Sequence, residues 1–309
     1  MQKAKKRFFS VTAVLLAVLV ALTALLPTAG AAQAATMRSK YTGKSYTHNA
    51  RFNKLEVLNG VDISAWQEKV NWKKIKNDGI DFAILRAGYG KNASQEDAYF
   101  ATNFKNATAA GLPVGIYWYS YAKSVADVEK EARLCLQVLG SRTLDLPVFY
   151  DLEESSQLNK GKAFCTQLVE HFCSIIAAAG HTPGLYMSRS PLLDYIEQET
   201  RGRYALWVAE YGSKTCKYDG DYLMWQYADN GKVAGVNGNT DMDFLYGNKN
   251  SLPGSATLLK SKTYTGKAIT PAPTVTGEDG KPLKADKDYT LTYTNNKAVG
   301  MATITAQGL

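Results

Sequence analysis

Three stretches of this sequence place carboxylates at spacings that could do chemistry. The run Leu146-Pro147-Val148-Phe149-Tyr150-Asp151-Leu152-Glu153-Glu154 is apolar and then acidic. In an extended strand, residues two apart share a face, so Asp151 and Glu153 should project together, with Leu152 and Glu154 on the opposite side. A helix cap would account for one of these acids but not for a same-face pair. Asp62 ends a second apolar run, Gly60-Val61-Asp62-Ile63-Ser64, and Asp241 and Asp243 share a face in Thr240-Asp241-Met242-Asp243. Crowded acids suit glycosidic bond cleavage, where like charges keep one carboxyl protonated to assist the leaving oxygen. They also suit metal binding, but a metal site would call for histidine beside the acids. None of the three histidines, His48, His171 and His181, falls in these motifs. Aromatic residues favour the sugar reading. Tyr89, Tyr117, Tyr119, Tyr186, Trp207 and Trp225 lie in or just after apolar runs, with Gln226 beside the last. Flat rings with polar tips match the apolar faces and hydroxyls of pyranoses, although alternation along a strand consigns about half of such rings to packing.

Positioning these residues requires parallel β/α architecture. Between Leu58 and about Gly247, short apolar runs alternate with amphipathic stretches. The expected strands are Val61–Ile63, Phe82–Ala87, Val114–Tyr119, Pro147–Leu152, Gly184–Met187, Leu206–Ala209, Leu223–Gln226 and Met242–Leu245. Helices are expected at Asp97–Ala110, Ser124–Leu139 and Lys162–Ala179, each followed by glycine, and at Pro191–Glu199. Beyond that point the strands are closely spaced. The pattern suits a closed barrel whose last strands have lost their helices, with an open doubly wound sheet as the alternative. Catalytic groups would sit at the C-terminal ends of the strands, and first and last strands would be neighbours. No glycine-rich phosphate loop follows the first strand, so nucleotide binding has no support.

The rest of the chain sets the context. Lys3, Lys5, Lys6 and Arg7 precede an uncharged apolar run, Phe8 to Leu26, then Pro27 and Ala31-Ala32-Gln33-Ala34-Ala35. This is the layout of a cleaved export signal over residues 1–35, and the rival reading is a retained membrane anchor. Residues 36–57 read as a basic, flexible linker whose charge suits anionic wall polymers. The formal charge of +8 arises entirely from these two segments; from Val57 onward the chain is balanced, which excludes a basic nucleic-acid face. Cys135, Cys165, Cys173 and Cys216 match no metal framework and read as small buried hydrophobes. The catalytic domain spans 58–250. After the composition shift near Ser251, residues 258–309 carry alternating Thr- and Tyr-rich segments of a small all-β module.

Taken together, Gly60-Val61-Asp62-Ile63-Ser64, Asn71-Trp72, Phe82-Ala83-Ile84-Leu85-Arg86-Ala87-Gly88-Tyr89, Asp151-Leu152-Glu153, Trp207-Val208-Ala209, Trp225-Gln226-Tyr227 and Thr240-Asp241-Met242-Asp243 resemble glycoside hydrolase family 25, the Chalaropsis-type lysozymes. The C-terminal module resembles part of a bacterial Ig-like repeat. The first resemblance implies an α/β, irregular TIM-like barrel of five β/α units followed by three strands. It implies a secreted, wall-associated N-acetylmuramidase that cleaves the β-1,4 bond from N-acetylmuramic acid to N-acetylglucosamine in peptidoglycan. Glu153 would be the general acid and Asp151 its partner, with Asp62 and Asp241 as further cleft carboxylates. Tyr89, Tyr117, Tyr119, Tyr186, Trp207, Trp225 and Gln226 would bind glycan. No cofactor, metal or nucleic acid is expected, and the protein should be a monomer. The family's last motif commonly reads Asp-x-Asn, whereas this chain has Asp243 at its end. A chitinase-like enzyme would need acids at positions 146 and 149, which are Leu146 and Phe149 here. A non-catalytic wall-binding barrel is countered by the presence of all four acids.

Overall fold

The computed structural model describes residues 34–247, apart from Lys54, and scattered residues between 267 and 308. Two short strands, β1 (Thr36–Arg38) and β2 (Ser45–Thr47), form an antiparallel hairpin. The chain then runs through β3 (Glu56–Ile63), α1 (Trp72–Asn77), β4 (Phe82–Tyr89), α2 (Phe100–Ala109), β5 (Val114–Tyr119), α3 (Val125–Leu139), β6 (Val148–Asp151), α4 (Ser155–Leu158) and α5 (Lys162–Ala178). It continues with β7 (Pro183–Ser188), α6 (Arg189–Tyr195), α7 (Gln198–Arg201), β8 (Ala205–Ala209), β9 (Met224–Gly231) and β10 (Thr240–Gly247). A final antiparallel pair, β11 (Tyr289–Thr294) and β12 (Thr303–Gly308), follows.

Strands β3 to β10 close into an eight-stranded barrel in the order β10-β3-β4-β5-β6-β7-β8-β9. The open-sheet alternative is thereby excluded. Pairing is parallel from β3 round to β9, while β10 runs antiparallel to both neighbours. Alternation along the strands sorts two cores. Leu58, Phe82, Ile84, Phe149, Trp207, Met224 and Leu245 fill the barrel, whereas Val61, Ala83, Leu85, Ile116, Val148 and Tyr150 face the helices. The barrel floor is tight enough to dictate sequence: a Cβ on Gly60 would lie 2.1 Å from the Phe82 ring, and one on Gly184 2.4 Å from Phe149. Helix ends follow local chemistry. The Ser124 hydroxyl accepts from the Asp127 N–H at the start of α3, which stops at Gly140 with φ +59°. All four cysteines are unpaired and buried.

The segment expected to be a flexible linker is folded onto the barrel. Tyr41, Tyr46, His48 and Phe52 are buried, with Phe52 stacked 3.9 Å from Tyr246 and Tyr46 packed 4.5 Å from Tyr227. His48 Nδ1 lies 3.0 Å from the Tyr246 hydroxyl, and the Ser39 hydroxyl 3.1 Å from that of Tyr227. The physical reason is that aromatic residues interleave with the basic ones. Each buried ring contributes on the order of 1.5–3 kcal/mol, more than enough to outweigh the segment's polar average. Residues 1–33 of the expected export signal, and most of the expected Ig-like module including 258–266, lie outside the described residues. Among the described residues no helix is long and apolar enough to cross a membrane.

Candidate active site

The acids singled out from the sequence meet at the C-terminal mouth of the barrel, where they form two groups. In the first, Asp241 pairs directly with Asp62 across the β10–β3 ladder, and Asp243 lies opposite Gln226 on β9. Asp62 and Asp243 are buried. The Gln226 amide donates to Asp62 Oδ2 at 2.7 Å, and the Tyr186 hydroxyl donates to Gln226 Oε1 at 2.6 Å. The Tyr211 hydroxyl donates to the same oxygen. The Trp207 indole N–H donates to Asp243 Oδ1 at 2.8 Å. Asp243 Oδ2 is buried and meets no N–H or fixed hydroxyl donor.

The electrostatics agree. Burial, with Asp241 and Asp243 adding repulsion, holds the Asp62 carboxyl well above the usual carboxylate range, although the Gln226 amide opposes this. Burial also raises Asp243, against the pull of the Trp207 indole. Asp241 is pushed up to about 6, first by burial and then by Asp229, while its bond with Asp62 works the other way. Three acids in contact share fewer than three charges, because like charges in a dry site cannot all ionise.

The second group follows β6. Asp151 is buried at the strand end, and its Oδ1 has no hydrogen-bond partner. Burial and then Glu153 push its carboxyl well up, while the Arg86 guanidinium pulls it down. Leu152 packs outward among the helices. Glu153 is exposed at the rim, and lost solvation, Glu154 and Asp241 all raise its pKa. Glu153 thus feels Asp241 across the mouth, which ties the two groups into one site. Glu154 departs from the expectation that it points away. Strand β6 ends at Asp151, so the two-residue alternation no longer applies three positions later. Glu154 precedes α4 and accepts a 2.7 Å hydrogen bond from the Tyr119 hydroxyl.

The expected glycan-binding residues divide. Tyr117 is half-buried inside the barrel, 6.0 Å from Trp207, and burial and then Asp62 raise its pKa. Tyr89 and Tyr119 are half-buried at the rim, joined by the exposed Tyr121 at centroid distances of 6.2 and 5.0 Å. Tyr186 and Gln226 belong to the buried network under Asp62. Two assignments are corrected. Trp225 points away from the mouth into the outer core against Tyr46, His48 and Phe244, because a strand that turns Gln226 inward must turn its neighbour outward. Trp207 does face inward, but it is buried beneath the mouth, where it orients Asp243 instead of offering a ring face.

Other residues at the mouth escaped the sequence reading. Trp66, on a single 3-10 turn just after β3, is 83% exposed. Asp97 receives the Arg86 Nε–H at 2.7 Å and the Ala65 N–H at 2.9 Å, so one buried carboxylate fixes both the guanidinium near Asp151 and the Trp66 turn. Arg86 lies 5.5 Å from the Tyr89 ring. Sequence carries each residue type but not its exposure or its partner. Among the described residues, no group of three or more His, Cys, Asp or Glu side chains is arranged to hold a metal ion.

Comparison with known proteins identifies the family. The YegX protein of Escherichia coli O157:H7 is 30% identical over 206 residues, covering 63% of this chain and 72% of its own. Lysozyme M1 of Streptomyces globisporus is 26% identical over 208 residues, covering 62% and 68%. The crystal structure of the CTP1L endolysin superposes with a TM-score of 0.55 at 27% identity, covering 61% of this chain and 66% of that one. Residues 61–236, which carry both acid groups except Asp241 and Asp243, match the family described as glycosyl hydrolases family 25. With more than half of the sequence matched and the closed barrel in place, this chain belongs to glycosyl hydrolase family 25.

Proposed function

We propose that this protein is an exported lysozyme that hydrolyses the β-1,4 bond between N-acetylmuramic acid and N-acetylglucosamine in peptidoglycan. The observation that carries the proposal is the meeting of two acid groups across one barrel mouth, with Glu153 at the rim, its pKa raised first by lost solvation and then by Glu154 and Asp241. A carboxyl raised in this way favours its protonated form and can deliver a proton to a leaving glycosidic oxygen. Asp151, buried beside it with a free oxygen, is placed to orient the substrate or stabilise developing positive charge. Asp62 and Asp241 close the opposite side, where burial and crowding of acids limit the charge that the sugar ring meets. Tyr89, Tyr117, Tyr119, Tyr121 and Trp66 supply ring faces and hydroxyls for pyranose binding. The relatives named lysozyme and endolysin support the same substrate. The charged start and apolar run of the first 26 residues support export.

Digestion of purified peptidoglycan by the protein, with the new reducing ends identified, is the direct test. Muramic acid reducing ends are expected. Glucosamine ends, or release of peptides without new reducing ends, would refute the bond assignment.

A further inference from the structure

One side of the mouth is bordered by a pocket that the family-matched segment does not build alone. It has a volume of about 420 Å³ and lies between the β1–β2 hairpin, the segment after β8 and the end of β9. This is the size range of sites for small molecules and short peptides. Lys44 and Ser45 enter it from the hairpin, which precedes the matched residues 61–236. Lys214 enters from the opposite wall, and the Thr47 N–H clamps the two walls together by donating to the Lys214 carbonyl at 2.7 Å. Both lysines are exposed, and neither belongs to an ion pair among the described residues.

The pocket is continuous with the acid cluster. Tyr211 lines it and donates to Gln226, which in turn holds Asp62. Asp229 also lines it and lies close enough to Asp241 to raise its pKa. A group filling this pocket would therefore touch Tyr211 and Asp229, the residues that link it to Asp62 and Asp241. It would face two free ammonium groups, one carboxylate and several hydrogen-bonding groups.

Building on the function proposed above, we infer that this pocket holds the peptide stem that peptidoglycan carries on the lactyl ether of N-acetylmuramic acid. Stem carboxylates match Lys44 and Lys214, and the ammonium of a diamino acid in the stem matches Asp229. Tyr211 and Ser45 offer hydrogen bonds to its amides. The glycan backbone is uncharged at N-acetylglucosamine and gives two free cations nothing to meet. A polyanionic wall polymer would need no enclosed pocket and would be repelled by Asp229. The hairpin thus makes this chain selective for glycan that still bears its peptides.

The test compares kcat/KM on soluble glycan strands with intact stems and on the same strands stripped by an amidase. The wild-type protein should prefer stem-bearing strands by about five- to tenfold, the scale of two partly exposed charge pairs. Lys44→Ala with Lys214→Ala should abolish the preference through KM, and the arginine pair should retain it. Raising the salt concentration should shrink it. Equal rates on both strands, or lysine variants that slow both alike, would overturn the stem pocket while leaving the glycosidase reading intact. Failure of the wild-type protein to cleave either strand would overturn both.

Discussion

Across the barrel mouth, Asp151, Glu153 and Glu154 follow one another along a single strand end, while Asp62, Asp241 and Asp243 come from two strands paired in register. The first group rises from a buried residue to an exposed rim, with Arg86 and the Tyr119 hydroxyl close by. The second is largely sealed and tied down by Gln226 and Trp207. The difference teaches how one barrel end gives acids distinct tasks. A carboxyl that must exchange protons with substrate and water stands at the rim. Carboxyls that set the local charge are buried and hydrogen-bonded, where their protonation is fixed by each other.

The largest effect expected from breaking this asymmetry is at Glu153. Glu153→Gln keeps the size of the side chain but cannot deliver a proton. Its kcat on soluble glycan should fall by about 10²–10⁴-fold, the usual share of general acid catalysis, with little change in KM. A variant that retains more than a tenth of wild-type kcat would move the acid role elsewhere.

An acid in neither group sharpens the point about burial. Glu131 of α3 is buried, accepts from the Ser120 and Tyr150 hydroxyls and the Tyr121 N–H, and is pushed up to about 7, mainly by burial. Its folded-state pKa lies above its unfolded value, so its contribution is fully present below about pH 4.5 and is lost as pH rises through about 7. The loss is on the order of 3 kcal/mol. Urea melts between pH 4.5 and 8 should show wild-type stability falling with pH, and Glu131→Gln should flatten that slope. An unchanged slope would mean that Glu131 does not titrate in this window.

In the sealed group, Trp207→Phe removes the indole donor from Asp243, whose other oxygen has no partner. A stability loss of about 1–3 kcal/mol is expected, because a buried acceptor is left without its donor. The same loss in an Asp243→Ala background would assign Trp207 a packing role only. The smallest effect belongs to the open rim. Trp66→Ala should leave thermal stability unchanged, because the ring is exposed, and raise KM for glycan by roughly threefold to tenfold if the ring is a sugar platform. An unchanged KM would remove Trp66 from the site.

Much of this architecture is legible in the sequence because it rests on local periodicity. The eight apolar runs, the helix stops at glycine and the strand-end acids follow from alternation and backbone sterics, and each appears in the barrel near its expected place. The errors have equally physical causes. Helix α1 spans six residues, too few for its period to emerge. Glu154 lies past the end of its strand, where alternation no longer holds, and Trp225 cannot share a face with Gln226, its neighbour on one strand. Residues 36–57 have a basic, polar average, which conceals Tyr41, Tyr46, His48 and Phe52, whose rings find partners only on the finished barrel.

The sequence by itself determined the barrel class, the acids at the strand ends and the family, because these depend on residue type and on spacings within single elements. Tertiary structure decided which acids crowd one another, since the pairing of Asp62 with Asp241 joins residues far apart in the chain through barrel closure. It also decided that Trp207 supports Asp243, that Tyr119 holds Glu154, and that the N-terminal hairpin lends Lys44 to the wall of the mouth. Burial, donor geometry and shared charge are properties of assembled surfaces, and no stretch of sequence carries them alone.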